Sequence, residues 1–522
     1  MYKKIFLLFK IGRKLAKSGI VKSISESYNI PTLIKIFFFI LGFSIKKETH
    51  NKNEGPGEKI CSSLQEMGTT FIKLGQFLAT RPDIIGEKLA KDLEKLQDKL
   101  PPFEKKEAIL ILKKEFDEKT FEKIYELSEP IAAASIAQVH FAKIKKNGIG
   151  KEVAIKILRP SIQKVFNEEL DALILLAYII EGLIKKTKRL KLVEVVYLLK
   201  EITNIEMDLR FEAAAANELY ENTKNDLGFN VPKIYWNFTT EKVLTLEKIE
   251  GTSIRETEKL KKDGIDVKKI SADLIQHFLR QAVRDGFFHA DMHQGNIFID
   301  KNGNIIPVDF GIMGRLDKLN RRYLAEILFG FINRDYKKVA EVHFLAGLIS
   351  KKFSIEEFAQ SLRSIGEPIF GQAVKDISGG KLLKQLFDNT EKFDMHTQPQ
   401  LLLLQKTMVV VEGVARNLNP NTNIWEISKP ILESWLKETK DPINKINETI
   451  DDGIDVLKRL PELPKIMDRA NEALKIIAEG KISPNSTSYY SLNEEKMKIK
   501  LFRNKLLSTF LVLVIFILLV FK

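Results

Sequence analysis

The stretch Gly286–Gly311, GFFHADMHQGNIFIDKNGNIIPVDFG, decides how the chain is interpreted. Its middle predicts a β-hairpin, because Ile297–Ile299 and Ile305–Val308 flank the turn dipeptide Asn302-Gly303. Polar residues stand on either side of this hairpin, and a hairpin brings its two ends together. The sequence therefore predicts one site built from the segments before and after the hairpin.

These polar residues have the spacing of a protein-kinase catalytic centre. Asp291 precedes Asn296 in a D-x-x-x-x-N pattern, and Asp309-Phe310-Gly311 follows as the metal-binding tripeptide. Phosphoryl transfer needs Mg²⁺ on the phosphates, and carboxylate and amide oxygens are suitable ligands for it. We therefore assign Asn296 and Asp309 as candidate Mg²⁺ ligands. Asp291 is the candidate general base, which would orient or deprotonate an attacking hydroxyl or water.

A lysine on a predicted strand precedes this region. Val153–Lys156 reads VAIK, the pattern of the kinase strand whose lysine binds the α- and β-phosphates of ATP. Side chains alternate along a strand, so Val153 and Ile155 are expected to be buried while Lys156 faces the cleft. We expect this strand to pair with Phe141–Lys145 across a turn at Asn147-Gly148.

The segment before these strands, Pro130–His140 (PIAAASIAQVH), occupies the place of a nucleotide-covering loop. It is rich in alanine, whereas kinase loops are rich in glycine, which lets backbone N–H groups reach phosphate oxygens. We therefore expect the nucleotide to be held differently here. The candidate nucleotide-binding residues of the loop are Ile131, Ala132, Ala133, Ala134, Ser135, Ile136, Ala137, Gln138 and Val139.

Lys156 needs a carboxylate partner, and the candidates lie in Glu206–Asn217, EMDLRFEAAAAN. We choose Glu212 over Glu206, because it lies on an alanine-rich helix that can approach closely. The alternative is that both glutamates face solvent. Loop, lysine strand, catalytic loop and DFG tripeptide are each weak signals, but together and in this order they indicate a kinase-like protein that binds ATP and Mg²⁺.

Composition is that of a folded protein with a basic surplus. The 522 residues are 44% hydrophobic and carry a formal net charge of +14. Ten Lys and Arg against two Glu lie within residues 1–50, interleaved with apolar and aromatic residues. We interpret residues 1–54 as a basic amphipathic segment that lies on an anionic membrane surface, the alternative being a helical extension packed on the body. The one cysteine, Cys61, excludes an intramolecular disulfide and favours a reducing compartment.

The other end of the chain predicts a membrane anchor. Leu506–Phe521 is an uncharged apolar run, with Arg503 and Lys505 just before it. These side chains can extend the apolar span by reaching toward the interface, so we predict a single-pass anchor at 501–522. The basic residues on its N-terminal side predict that the body lies in the cytoplasm. The alternative, a buried core helix, is disfavoured because nothing follows it to pack beside.

These elements predict an α+β, bilobal, atypical protein-kinase-like fold. Strand patterns occur only between about residues 130 and 310, and the sequence from Lys318 has the period of helices. The predicted parts are a basic segment at 1–54, a helical extension at 55–125, a sheet-bearing N-lobe at 126–250, a helical C-lobe at 251–480, a linker at 481–500 and the anchor at 501–522.

From about Gly55 to Pro420 the chain resembles the UbiB family of atypical kinase-like ATPases. Besides the alanine-rich loop, Phe71–Gln76 (FIKLGQ) carries the family's K-x-G-Q signature, and Glu206-x-Asp208 matches its E-x-D motif. The catalytic loop has Ala290 where protein kinases keep an Arg. It also departs from the family's usual H-A-D-P-H-P-G-N at Met292 and Gln294, which predicts a less rigid loop.

The resemblance implies a function that composition and spacing do not specify. In the family the K-x-G-Q helices pack over the cleft, which would place Lys73 and Gln76 near the phosphates, with Glu206 and Asp208 nearby. This arrangement implies ATP hydrolysis, or action on a small molecule, more readily than phosphorylation of a protein. It also implies a role in ubiquinone biosynthesis, with polyprenyl-phenol or quinone intermediates, and other enzymes of that pathway, as partners.

The remaining expectations concern the location of the protein, its oligomeric state and two alternative functions. The resemblance implies the bacterial inner membrane, although bacterial relatives end in two membrane segments and this chain has one. A homodimer is possible. The rival functions are a true protein kinase acting on a pathway enzyme and a non-catalytic pseudokinase scaffold. Nucleic acid is not expected as a partner, since the positive surplus gathers beside apolar segments and no nucleic-acid motif occurs.

Overall fold

The computed structural model describes residues 56–440, except for 80–84, 86, 94–95, 97–99, 147, 184–190, 351, 371–391, 394 and 396–398. The predicted basic segment at 1–54, the linker at 481–500 and the anchor at 501–522 lie outside the described residues. Within the described part of the chain, no helix is both long enough and apolar enough to cross a membrane. The anchor therefore stays a prediction.

The N-terminal half contains helices on either side of five short or medium strands. In chain order they are α1 Pro56–Met67, α2 Thr69–Ala79, α3 Glu87–Leu93, α4 Lys105–Glu115, α5 Glu118–Phe121, β1 Ile124–Tyr125, β2 Pro130–Ala133, β3 Ala137–Lys146, β4 Ile149–Leu158, α6 Ile162–Leu183, α7 Leu192–Glu206, α8 Leu209–Thr223 and β5 Val243–Glu247.

The C-terminal half is mostly helical, with five strands of two or three residues near its start. In chain order they are β6 Thr252–Ser253, α9 Thr257–Lys262, α10 Val267–Leu279, β7 Phe287–His289, β8 Ile297–Ile299, β9 Ile305–Pro307, β10 Met313–Arg315, α11 Lys318–Ile332, α12 Tyr336–Leu345, α13 Ile355–Phe370, α14 Pro399–Leu418 and α15 Ile424–Lys440.

The main sheet is antiparallel, in the order β1-β3-β4-β5, with β2 also pairing with β3. The predicted pairing of two strands around the Gly148 turn is confirmed, and Gly148 has the positive φ that such turns require. The first strand of the pair begins at Ala137, four residues before the predicted start at Phe141. Alanine is uncommon in strands, so the sequence pattern hides this beginning.

The two faces of the main sheet have different neighbours. Ile155 and Ile157 are fully buried on one face, in a core that includes Ala108 and Leu112 of α4. Lys156 points to the other face by the alternation of strand residues. On this side, Leu244 of β5 belongs to a core shared with helices α1, α2, α6 and α7. Helices α1 and α2 of the extension and the cleft lysine therefore lie on the same side of the sheet, whereas α4 packs on the other side.

The helical half is built around α10 and α14, which share one apolar core. After α10 the backbone forms a π-helical turn at Arg280–Asp285, which ends at Gly286 with a positive φ. Such turns insert an extra residue and are common at functional sites. The predicted hairpin follows: β8 pairs with β9, and Ile299 lies opposite Ile305. This hairpin and β7–β10 carry the candidate catalytic segments.

His277 is a buried histidine of α10 outside the candidate site. Its side chain is 2% exposed, and its ring lies 4.9 Å from the Phe229 ring, measured between centroids. Burial, together with the nearby charges of Arg280 and Arg284, lowers the pKa of His277 to about 4, against the opposing charge of Asp226. The folded protein therefore holds this imidazole neutral at pH values where the unfolded chain protonates it.

We predict that His277 makes stability fall with acidity between pH 6.5 and 4. The unfolded chain binds the proton first, so the folded state loses about 2 kcal/mol between pH 7 and pH 5 through this one group. In urea titrations at both values, His277→Gln should reduce that loss by the same amount, while an exposed substitution such as Lys224→Met should not. An equal pH dependence in the wild type and the His277→Gln variant would contradict the assignment.

Candidate active site

Lys156 and Glu212 form the ion pair that the sequence predicts. Lys156 Nζ lies 2.8 Å from Glu212 Oε1 and 2.9 Å from Oε2, so one ammonium contacts both carboxylate oxygens. The side chains are 12% and 9% exposed. Glu212 is in the first turn of α8, and Ala213 and Ala216 of that helix are fully buried. Small side chains let the helix approach the sheet closely enough for this contact.

Asp309 is the second carboxylate beside Lys156. Its Oδ1 lies 3.1 Å from Lys156 Nζ, and its side chain is 48% exposed, so this carboxylate faces the open cleft. Asp309 has a φ of +63°, in the left-handed region that aspartate tolerates better than most residues. The neighbouring Val308 N donates to Asn296 O at 2.8 Å, which links the DFG segment to the catalytic loop.

The Lys156 ammonium and the carboxylates of Glu212 and Asp309 favour each other's ionised forms. Lys156 lowers the pKa of Asp309 well below its usual range, and Lys73 contributes to the same shift. Burial opposes the charge of Lys156, but Asp309 and Glu212 together raise its pKa above the usual value. Burial also raises the pKa of Glu212, while the Lys156 ammonium favours its ionised form. Since the ammonium contacts both Glu212 oxygens, we assign all three groups as ionised.

His289 is the structural centre of the catalytic loop. Its ring is fully buried, and Nδ1 accepts a hydrogen bond from Asp291 N at 3.1 Å. Nε2 lies 3.3 Å from Val308 O, so we assign it as the protonated nitrogen, which donates to that carbonyl. Burial lowers the pKa of His289, which agrees with a neutral ring. The expectation of a structural histidine rather than a proton carrier is consistent with these contacts.

Asn296 and Asp291 are in direct contact. Asn296 Nδ2 donates to the Asp291 backbone O at 3.1 Å and to its Oδ2 at 3.2 Å. Both bonds use the amide nitrogen, so the amide oxygen of Asn296 is the atom that can bind a cation. The Asp291 carboxylate is 39% exposed, and its Oδ2 lies 3.6 Å from His293 Nε2. Asp291 is thus fixed in direction but open to an attacking group.

This donor set fits a Mg²⁺ ion brought in with a nucleotide. Asp309 supplies an ionised carboxylate and Asn296 an amide oxygen, and the backbone bond from Val308 holds the two segments together. Over the described ranges there is no group of three or more His, Cys, Asp or Glu that could hold a metal by itself. Mg²⁺ in nucleotide sites commonly takes one or two protein ligands together with phosphate oxygens, so Asn296 and Asp309 are sufficient.

The K-x-G-Q helix and the E-x-D motif contact each other. Lys73 Nζ of α2 lies 3.0 Å from Glu206 Oε2 at the end of α7, and the two side chains are 16% and 19% exposed. Gln76 follows Lys73 by three residues on the same helix and is partly buried. Asp208 caps α8 by accepting from Arg210 N and also pairs with the Arg210 guanidinium at 2.7 Å. Lys73 is also among the groups that lower the pKa of Asp309, after Lys156 and His289.

The alanine-rich loop presents only some of its residues to the cleft. Ala132 lies opposite Val139, and Val139 lies opposite Lys156, so these three share one face of the sheet. Gln138 is 1% exposed on the other face, where its amide bonds the backbone of Phe103. Ile131 is exposed, and Ala133 and Ala134 are partly buried. Ser135, Ile136 and Ala137 are buried, the last two in the core shared with α2.

Two residues near the site are not indicated by the sequence motifs. Arg159, just after β4, contacts the carbonyl of Ala134 in the loop. Thr407 of α14 donates from its hydroxyl to Ala290 O at 3.0 Å, next to Asp291. Both act on backbone carbonyls that are distant in sequence, so no local pattern points to either role. An arginine directly after a lysine-bearing strand is the one available signal.

We predict that loss of Lys156 destabilises the fold more than loss of Glu212. Lys156→Met leaves the buried Glu212 carboxylate unpaired, which costs about 3–5 kcal/mol by analogy with other buried pairs. Glu212→Gln leaves Lys156 with Asp309 and should cost about 1 kcal/mol. Urea denaturation of the two single variants and the double variant measures the coupling between Lys156 and Glu212. The double variant should lose less free energy of unfolding than the sum of the losses in the two single variants. Lys224→Met, which breaks an exposed pair with Glu221 at the C-terminal end of α8, should cost no more than about 1 kcal/mol. Strictly additive losses, or equal losses for the two single variants, would exclude this electrostatic arrangement.

Comparisons with known proteins show which family this chain resembles. The model of the ABC1 atypical kinase-like domain matches residues 95–343, and that of the UbiB helical domain matches residues 362–423. The "Probable protein kinase UbiB" of Marinobacter nauticus is 36% identical over 472 residues, which cover 90% of this chain and 85% of that protein. A solved complex of Rv3197 with erythromycin from Mycobacterium tuberculosis is 24% identical, with a TM-score of 0.47 over 71% of this chain and 94% of that one. With two family domains in order and a relative matched over most of its length, the chain belongs to the UbiB family of atypical kinase-like proteins.

Proposed function

We propose that this kinase-like enzyme binds Mg²⁺ and ATP and hydrolyses ATP in support of ubiquinone biosynthesis. The observation that carries the proposal is the contact of Lys156 with both Glu212 and Asp309, beside the Asn296–Asp291 pair. Lys156 would bind the α- and β-phosphates, and Asn296 with Asp309 would hold Mg²⁺, which neutralises developing phosphate charge. Asp291, exposed and hydrogen-bonded, would orient the attacking group. The ubiquinone pathway enters through family membership.

The contacts of the helical extension favour water or a small acceptor over a protein. Lys73 and Glu206 form a partly buried ion pair whose lysine influences the charge of Asp309. A folded protein substrate needs open space next to the catalytic base, and in this family the extension takes part of it. The candidate acceptors are water and polyprenyl-phenol or quinone intermediates. The proposed partners also include other enzymes of the pathway, and a second copy of the chain.

The proposed location is the bacterial inner membrane, with the catalytic body on the cytoplasmic side. Its support is the sequence alone: the basic, aromatic-rich residues 1–50 and the apolar run Leu506–Phe521 with Arg503 and Lys505 before it. A polyprenyl lipid does not leave the bilayer, so an enzyme held at the surface could reach its reactive head group. The proposed single-pass anchor supplies that attachment.

The central test measures phosphate release from Mg²⁺-ATP by the full chain bound to liposomes. The liposomes are prepared with and without a phenol that resembles a quinone precursor. We expect phosphate release that the phenol stimulates, and that Asp309→Asn lowers by at least about a hundredfold, since it removes the ionised metal ligand. Lys224→Met is the matched surface control and should retain the wild-type rate. Nucleotide binding without turnover under every condition would overturn the hydrolytic assignment.

The two rival functions give different results in further assays. A true protein kinase transfers label stoichiometrically from ATP to a pathway enzyme, whereas hydrolysis without transfer excludes that function. A pseudokinase scaffold binds nucleotide and keeps its cellular function when the base is removed. We therefore expect Asp291→Asn to fail to restore ubiquinone in cells that lack this protein. Restoration by Asp291→Asn would support the scaffold.

The alanine-rich loop gives a prediction with an internal control. Ala132 shares the face of Lys156, whereas Ala133 lies opposite Gln138, which faces the other side. Glycine frees the backbone at either position, but only at Ala132 does the freed backbone border the nucleotide. We expect Ala132→Gly to change ADP affinity, or the ratio of hydrolysis to self-phosphorylation, several-fold more than Ala133→Gly. Identical behaviour of wild type and both variants in calorimetric titration would show that alanine does not tune nucleotide handling.

A further inference from the structure

Arg159 lies at the junction of three segments around the candidate nucleotide site. It directly follows β4, three residues after Lys156, and its backbone N donates to Ile136 O at 2.8 Å. Its guanidinium donates to Ala134 O from Nε at 3.1 Å and from Nη2 at 2.9 Å. One residue thus holds the carbonyls on both sides of Ser135, at the tip of the alanine-rich loop.

The rest of the guanidinium contacts the connecting segment 100–103, which leads into α4. Nη1 donates to Pro101 O at 2.9 Å, and Nη2 lies 3.4 Å from Leu100 O. Its carbon lies 5.9 Å from the centre of the Phe103 ring. Gln138 binds the same segment, since Phe103 N donates to its Oε1 at 2.9 Å and its Nε2 donates to Phe103 O at 3.2 Å. The connecting segment and the loop are therefore fastened to each other.

The chemistry of these contacts requires an arginine. The planar guanidinium has five N–H donors in a fixed fork, which can serve several acceptors in different directions. A lysine has three donors on one atom, so it cannot reproduce separate hydrogen bonds from Nε, Nη1 and Nη2. The acceptors named here are backbone carbonyls, so these contacts help to fix the direction of the backbone.

The loop needs such support because of its composition. Within the hairpin, Ala134 N donates to Ala137 O at 2.8 Å, and the register shifts between Pro130 and Ala132. An alanine-rich loop lacks the glycines with which kinase loops wrap around phosphates, so its carbonyl and N–H directions have to be fixed by neighbours. Arg159 directly follows the strand that carries Lys156, and it binds the carbonyls of Ile136 and Ala134 through its backbone N and its guanidinium.

We propose that Arg159 is a positioning residue that holds the alanine-rich loop in its nucleotide-binding shape and links that shape to the connecting segment 100–103. The inference rests on the proposed function, because it assumes that this loop covers a nucleotide. If the loop takes the binding shape for only a tenth of the time once Arg159 is lost, the dissociation constant for nucleotide rises roughly tenfold. The chemical step at Asp291 should be unaffected once the site is saturated.

The test compares Arg159→Gln, Arg159→Lys and the remote surface control Arg322→Gln in the full chain. Mg²⁺-ADP binding by calorimetry gives the dissociation constant and the fraction of competent sites, and ATP hydrolysis gives KM and kcat. We expect both Arg159 variants to raise the dissociation constant and KM roughly tenfold, with kcat and the competent fraction unchanged. A merely structural role would lower the competent fraction and kcat and leave the dissociation constant of the remaining sites unaltered.

The outcomes separate this inference from the function on which it rests. If the wild type binds Mg²⁺-ADP and both Arg159 variants bind it equally well, the positioning role is wrong while the proposed function stands. If the wild type binds no nucleotide, both are wrong. If Arg159→Gln loses its cooperative melting transition, Arg159→Lys, which keeps the charge and the alkyl stem, decides the matter by the same dissociation constant.

Discussion

The structure depends on keeping one ammonium ionised at the bottom of a cleft. Removing a cation from water is costly unless carboxylates surround it, and Lys156 meets this condition with Glu212 on one side and Asp309 on the other. The requirement explains the arrangement of three distant segments. The sheet supplies the lysine, α8 approaches where the small residues Ala213 and Ala216 are buried near Glu212, and the turn after β9 carries the aspartate. An apolar residue in place of the lysine would leave the two carboxylates without a cation between them.

The catalytic loop is held by hydrogen bonds of buried, neutral side chains. His289 accepts from Asp291 N and faces Val308 O, so one ring joins the residue that would act as base to the strand that leads to Asp309. Thr407 of α14 also donates a hydrogen bond to Ala290 O. These contacts fix backbone rather than side chains, so Asp291 keeps an exposed carboxylate.

Much of the fold and the centre of the site follow from local sequence patterns. The two hairpins could be predicted because Asn-Gly turns separate β-branched residues, and Glu212 could be chosen because alanines surround it. The orientation of the alanine-rich loop could not be predicted. A shift in register between Pro130 and Ala132 decides that Ala132 and Val139 share the face of Lys156, whereas Gln138 binds Phe103 on the other side. The contacts of Arg159 with the loop could not be predicted either, since the acceptors are backbone carbonyls, which every residue has.

The left-handed backbone at Asp309 limits which residues can replace it. A φ of +63° costs most side chains about 1–3 kcal/mol, and asparagine and aspartate are the residues that adopt it with least strain. Glutamate would keep the charge but pay this strain and extend the carboxylate by one methylene toward Lys156. Alanine would lose the charge and also the preferred backbone, so its effect would combine two causes. Only asparagine removes the charge while keeping the preferred backbone, so it separates ligand chemistry from loop shape. Because glutamate does not adopt this backbone easily, it is a poor substitute for aspartate at position 309.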